Sequence, residues 1–261
     1  MLNIVKIGGN IIDNEAHLLQ CLQDFALIRG QKILVHGGGK LATQLGEQLG
    51  VPSQFIEGKR VTNEPMLRIA AMVYAGWVNK HIVALLQANA CNALGLSGAD
   101  ANCIPATRRP AEPVDYGFVG DIAAMRLNID FLQTLLAQNI TPVFSAITHD
   151  THGVLLNSNA DSIASTVAVA MSRVMQVRLI FCFEKNGILS DVNDDNSCIP
   201  EIHSALYEEY KANGTISGGM IPKVDAALKA LSAGVNEVVI KHGLYLNSGG
   251  GTVIKKQNSE E

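Results

Sequence analysis

The chain has little charge and few aromatic rings. Charged residues make up only 17% of its 261 positions and aromatic residues 5%, with one tryptophan, while 48% are apolar. Such a chain can bury a sizeable core, as one large α/β domain or two intimately packed lobes. Its net charge of −4 leaves no electrostatic footprint for nucleic acid, so any positive charge that matters is concentrated locally. No nucleic-acid partner is expected. Neither a GxxxxGK[ST] loop nor a GxGxxG turn occurs, which excludes the P-loop and the dinucleotide fingerprint. The five cysteines, Cys21, Cys91, Cys103, Cys182 and Cys198, lie far apart without a CxxC pair. Their odd number argues against a disulfide framework, and they read as small buried apolar residues. No uninterrupted apolar run reaches the roughly 18 residues of a membrane span, and a strand-like run follows Met1 too closely for a signal peptide. Both absences point to a cytoplasmic protein without a membrane partner. No metal site is expected: His149 and His152 fall in a polar Thr-His-Asp-Thr-His-Gly turn, and His36 with Lys40 makes no ligand pair.

Against that background, glycine after strands stands out. Ile33-Leu34-Val35-His36 runs into Gly37-Gly38-Gly39-Lys40, a buried strand whose end exposes backbone N–H groups that no side chain shields. A small anion fits such a turn, although glycine after a strand also serves as a plain entry into the next helix. A second copy favours the anion: Ile4-Val5-Lys6-Ile7 ends in Gly8-Gly9, with a cation just before the glycines.

Taken in order, the chain alternates strands and helices. Asp13 can cap a helix striped by Leu18, Leu22 and Phe25, and Gly30 stops it before the Ile33 strand. Phe55 to Thr62 reads as a hairpin carrying adjacent cations, and Arg108 to Asp121 as another hairpin. From Asn63 to about Asn89 the pattern is helical and apolar on most sides, so the helix is buried on most sides. The expected second cover is another copy of the chain, which predicts a homodimer through the helix around 64–89, the alternative being a central helix within one subunit. Asn157-Ser158-Asn159-Ala160-Asp161 opens a helix that Asp161 can cap. Ile202 to Asn213 and Ile221 to Ala233 read as helices, the second with Pro222 in its first turn and Gly218-Gly219 before it. The alternation predicts an α/β fold with a mostly parallel sheet covered on both faces, whose ligands bind outside the carboxyl ends of the strands.

Six segments then carry a resemblance. Lys6-x-Gly8-Gly9, His36-Gly37-Gly38-Gly39, Gly58-x-Arg60-Val61-Thr62, Gly95-Leu96-Ser97-Gly98, Asn157-x-Asn159-Ala160-Asp161 and Gly218-Gly219-Met220-Ile221-x-Lys223 stand in the order and spacing of the amino-acid kinase family. From residue 4 to about 240 the chain resembles the acetylglutamate kinases within it. The resemblance implies a three-layer α/β/α sandwich in two lobes sharing one sheet, with residues 1–174 binding acylglutamate and dimerising and residues 175–261 binding nucleotide. It implies ATP-dependent phosphorylation of the side-chain carboxylate of an N-acylated glutamate in arginine biosynthesis, with Mg²⁺ held mainly by the nucleotide phosphates. On that likeness Lys6 and Lys223 flank the transferred phosphoryl group and Asp161 orients both. Gly8, Gly9, Gly37 and Gly38 hold the phosphoryl group through their N–H groups. Gly38, Gly39, Arg60, Asn157 and Asn159 contact the acylated amino acid, Arg60 at its α-carboxylate, and Gly187, Gly219 and Met220 lie near the nucleotide.

Elementary chemistry agrees with that assignment. A glutamate side chain has a pKa near 4.3, so the nucleophile is already ionised at neutral pH and needs no general base. The obstacle is anion meeting anion, which lysines, Mg²⁺ and backbone N–H groups relieve. Departures also occur: relatives carry Thr-Asp-Val where this chain has Phe183-Glu184-Lys185, and the segment from His242 to Gly251 is unusual. With the Asn193-Asp194-Asp195-Asn196 turn, the Cys182 to Gly187 segment resembles a branch suspected of using N-succinylglutamate, so both acyl groups stay open, acetyl preferred. Arginine-inhibited relatives carry an extra N-terminal helix, and with the first strand starting by residue 4 a dimer without arginine feedback is expected. A sensor without turnover, and kinases of the same fold acting on carbamate, aspartate or a nucleoside monophosphate, are the competing readings.

Overall fold

The computed structural model describes residues 1–191, 193–247 and 249–256. Its centre is β1 (Leu2–Ile7), all six residues of which are buried. A run without polar alternation fits a strand covered on both faces. The chain continues through α1 (Glu15–Leu27), β2 (Lys32–His36), α2 (Gly39–Gln48), the long helical segment α3 (Glu64–Ala88), β3 (Ala93–Leu96), α4 (Ile129–Ala137), β4 (Thr141–Phe144) and α5 (Ala160–Met171). It then returns to the other side of β1 as β5 (Val177–Phe183), β6 (Glu201–Ile202), α6 (Ser204–Ala212), α7 (Ile221–Ser232), β7 (Glu237–His242) and β8 (Thr252–Ile254). The eight strands form one sheet in the order β6-β8-β7-β5-β1-β2-β4-β3. The six strands from β7 to β3 are parallel, and β8 runs antiparallel to β7. The expected α/β sandwich around a mostly parallel sheet is thus the observed fold.

Register assigns the two faces. Lys6 pairs with Phe181 and Val35, and Ile7 with Cys182 and His36. Successive side chains point to opposite faces. Lys6 reaches Asp161 of α5 on one face, whereas His36, in register with Ile7, reaches Asn79 of α3 on the other. Helices α5 and α7 pack on each other, as do α1 and the 79–88 part of α3. Two antiparallel hairpins, Gln54–Ile56 with Lys59–Val61 and Ala106–Arg108 with Gly120–Ile122, rise beside the sheet, as the sequence predicts.

Local boundaries differ from expectation in three places. Asp13 does not cap α1; it closes a short helical turn, Gly9–Ile12, and the cap is Asn14, whose extended backbone lets its side chain accept from the His17 N–H at 3.1 Å. The cap of α5 is Asn159, accepting from Ser162 at 3.0 Å, which leaves Asp161 free for another partner. The helix expected from Ile202 begins at Ser204, because Ile202 pairs with Ile254 at the sheet edge.

Helix α3 is long and apolar enough to cross a membrane by length and composition. It is nonetheless partly built into the core, with Met66, Ile69, Ala70, Val73, Val78, Ile82 and Leu86 buried. Its middle, Met72–Val78, is a π-helix, the wider winding that is frequent at functional sites. Immediately after it, Asn79 slips beneath β3, where a Cβ on Gly95 would stand 2.0 Å from Asn79 Oδ1. Asn79 is held by three hydrogen bonds, to His36, Val143 and Lys80, and cannot yield cheaply. Gly95→Ala is therefore expected to destabilise the fold by about 2 kcal/mol or more, read as a lower urea midpoint at unchanged m-value.

Candidate active site

Strand β1 has β2 on one side and β5 on the other, so the chain leaves it in two directions and a crevice opens at the carboxyl ends. In α/β sheets this switch point is where ligands bind. Lys6, at the end of β1, forms an ion pair of 2.8 Å with Asp161. Asp161 lies in the first turn of α5, where the helix dipole favours a carboxylate. Lys223 enters from the first turn of α7, an end where the dipole disfavours a cation. Its ammonium stands 3.6 Å from the centroid of the Phe183 ring, and Lys6 Nζ stands 5.6 Å from the same ring. The π face of one aromatic residue therefore carries both cations. Burial pulls the Lys223 pKa below its usual value; Asp161 opposes that, Lys6 adds to it, and Glu184 opposes it. Asp161 and Phe183 thus offset the cost of holding two like charges together.

The two glycine turns face this cluster. A Cβ on Gly8 would lie 3.6 Å from Lys6 Nζ, so the first turn passes directly over the ammonium. Among the described residues no backbone carbonyl accepts from the N–H groups of Gly8, Gly9 or Gly38. Gly38 sits at φ +154°, and a Cβ there would come within 2.8 Å of Tyr74 Cδ1, the side chain delivered by the π segment. No other residue fits that approach.

The remaining residues singled out from the sequence divide into those at the cleft and those beside it. A cavity of about 910 Å³ is lined by Gly37, Gly38, Gly39, Arg60, Asn157, Asn159, Asp161 and Lys223. Arg60 is fixed by the carbonyl of Gly39 at 2.6 Å, by Thr43 Oγ1 at 2.9 Å, by Ser53 Oγ and by the Phe55 ring. Asn157 donates to Thr62 Oγ1 at 3.0 Å, which ties the start of α5 to the Arg60 hairpin. Asn159 lines the cavity while its oxygen serves the cap. Gly219 and Met220 form the single turn Gly218–Met220 directly before α7. Gly187 does not line the cavity: at φ +145° it packs on β8, where a Cβ would meet Thr252 Oγ1 and Cys198 Sγ, each at 2.7 Å. The cavity also uses residues to which the sequence reading gave no site role, among them Tyr74, Arg109 and Phe183. Only Phe183 had a signal, as the departure at the end of β5.

Comparison with known proteins follows the same outline. The profile of the amino acid kinase family matches residues 1–242. The chain belongs to the amino acid kinase family. Within that family it is 49% identical over 255 residues to the acetylglutamate kinase of Bacteroides thetaiotaomicron, covering 98% of each chain. Among solved structures, smu.665 of Streptococcus mutans superposes with a TM-score of 0.77 at 27% identity, over 97% of this chain and 98% of that one. The N-acetylglutamate synthase of Neisseria gonorrhoeae, complexed with coenzyme A and N-acetyl-glutamate, shares the fold with a TM-score of 0.80 at 20% identity, over 98% of this chain and 59% of that one.

The electrostatics of this amino acid kinase site predict a pH response. Glu184 raises the Lys223 pKa that burial lowers. Removing that carboxylate as Glu184→Gln is expected to move the alkaline limb of the kcat profile to lower pH, with neutral-pH activity nearly retained. An unmoved limb would mean that Lys223 does not govern it.

Proposed function

We propose that this chain transfers the γ-phosphoryl group of ATP to the side-chain carboxylate of N-acetyl-L-glutamate, giving an acyl phosphate in arginine biosynthesis. The observation that carries this reading is the Lys6–Asp161–Lys223 cluster lying between two glycine turns with free N–H groups. The acceptor carboxylate arrives ionised, so the site needs no base, and Asp161, paired with Lys6, orients the lysines instead. Lys6 and Lys223 neutralise the charge that builds up as one anion approaches the other, each worth on the order of 3 kcal/mol in the transition state. Gly8, Gly9, Gly37 and Gly38 offer N–H groups to the phosphoryl oxygens, Arg60 takes the α-carboxylate, and Asn157 and Asn159 hold the acylated amino acid. In-line placement of the two reactants supplies the rest.

Mg²⁺ accompanies the nucleotide in this scheme. Among the described residues no group of three or more His, Cys, Asp or Glu side chains converges on a common point, and Asp161 is engaged with Lys6. The scheme therefore assigns the ion to the nucleotide phosphates. The division of labour follows the sheet. Residues 1–174 form the acylglutamate-binding and dimerising lobe, and residues 175–261 form the nucleotide lobe around the Gly218–Met220 turn. Val192, Ser248 and residues 257–261 of that lobe lie outside the described residues.

The partner is a second copy, joined through α3. Met72 and Trp77 on that helix are 54% and 67% exposed, an apolar pair that a twofold contact would cover. A dimer is expected by sedimentation, and Trp77→Glu is expected to shift it toward monomer. For the chemistry, ADP release is measured with Mg-ATP and either N-acetylglutamate or N-succinylglutamate. Turnover is expected with the acetyl compound, and Lys223→Ala is expected to lower kcat by roughly 10²- to 10³-fold. No ADP release with either acceptor would sink the assignment.

A further inference from the structure

The scheme above leaves one buried pair unused. His36, the last residue of β2, is fully buried and Asn79 is 1% exposed, and neither lines the cleft. The amide nitrogen of Asn79 donates to the carbonyl of Val143 at 2.9 Å and faces Nε2 of His36 at 3.0 Å. A carbonyl can only accept, so the amide can point only one way. Its oxygen accepts from Lys80 Nζ at 3.2 Å. Nε2 is then the acceptor and Nδ1 carries the proton, which it donates to the carbonyl of Gly37 at 2.8 Å. Burial keeps the ring neutral, with its pKa pushed down to about 4.

In a trans peptide the carbonyl and the following N–H point in opposite directions. Anchoring the Gly37 carbonyl to the ring beneath it turns the Gly38 N–H the other way, toward the cleft. A run of three glycines has no side chain to choose that orientation for itself, and its peptide planes rotate at little steric cost. We propose that His36, held in one tautomer by Asn79, is a positioning residue that keeps the Gly38 N–H aimed at the transferred phosphoryl group. The proposal rests on the phosphoryl-transfer reading above.

The test compares wild type, His36→Asn and His36→Gln for ADP release with Mg-ATP and N-acetylglutamate, with thermal melts as a folding control. Asparagine places its amide where Nδ1 lies and can still donate to Gly37, whereas glutamine places its amide where Nε2 lies and can still pair with Asn79. His36→Asn is expected to keep kcat within about 5-fold of wild type, and His36→Gln to lose roughly 30- to 100-fold in kcat at nearly unchanged KM. A ring that only fills the core and pairs with Asn79 gives the reverse order, and that order, or equal kcat in the two variants, overturns the proposal. The ring-nitrogen NMR signals of the wild-type protein test it without any variant having to fold. A protonated Nδ1 with a bare Nε2 supports it, and the opposite tautomer overturns it. Absence of wild-type turnover removes the reaction and this proposal together, whereas turnover with the reversed order removes the positioning alone.

Discussion

Two ammonium groups share one aromatic face, one of them paired with a carboxylate, and the rest of the structure is arranged to make that possible. Lys6 comes from β1, Asp161 from α5, Phe183 from β5 and Lys223 from α7. These elements, of which only α5 and β5 are consecutive in the chain, meet because the chain fills one side of β1 before crossing to the other. Bringing cations together costs free energy in proportion to how little water remains around them. The same exclusion of water is what makes the cations effective when a third anion arrives. A site that must stabilise developing negative charge therefore has to be somewhat unhappy when empty, and the lowered pKa of Lys223 is the visible sign of that condition.

Much of this was legible in the residues, for physical reasons that vary with the element. Strand β1 is legible because the β-rich run Ile4-Val5-Lys6-Ile7 ends in Gly8-Gly9. The glycine turns are legible because glycine carries its consequence, an exposed backbone, in its identity. The order of the motifs located Lys6, Asp161 and Lys223 and pointed to the family. The caps were not resolved: Asp13 and Asn14 are both good caps, and only the backbone angles decide between them. Nor could the π segment be seen, since a residue added to one helical turn changes no composition. Tyr74 and Phe183 join the cleft by convergence across the fold, and an apolar ring in a buried run looks the same in sequence whether it faces the core or a ligand.

Glycine shows the difference most clearly. Gly38, Gly95 and Gly187 occupy similar contexts in sequence, yet each is small for its own reason. Gly38 admits the Tyr74 ring beside the three-glycine turn, Gly95 admits the amide of Asn79 beneath β3, and Gly187 admits Thr252 of β8. The family likeness puts Gly187 near a nucleotide; what fixes its backbone is the approach of Thr252 and Cys198. A glycine reports that space is short, and only the neighbour says what the space is for.

The continuity of the sheet has a mechanical consequence. The β1–β5 ladder, six residue pairs long, joins the part of the fold that carries Arg60 and Asn157 to the part that carries Lys223. Two bodies fused along such a ladder cannot swing on a flexible linker as separately hinged jaws do, since that would shear the pairing at its centre. A rotation of one part against the other would have to appear as a change in the twist of the sheet that both share.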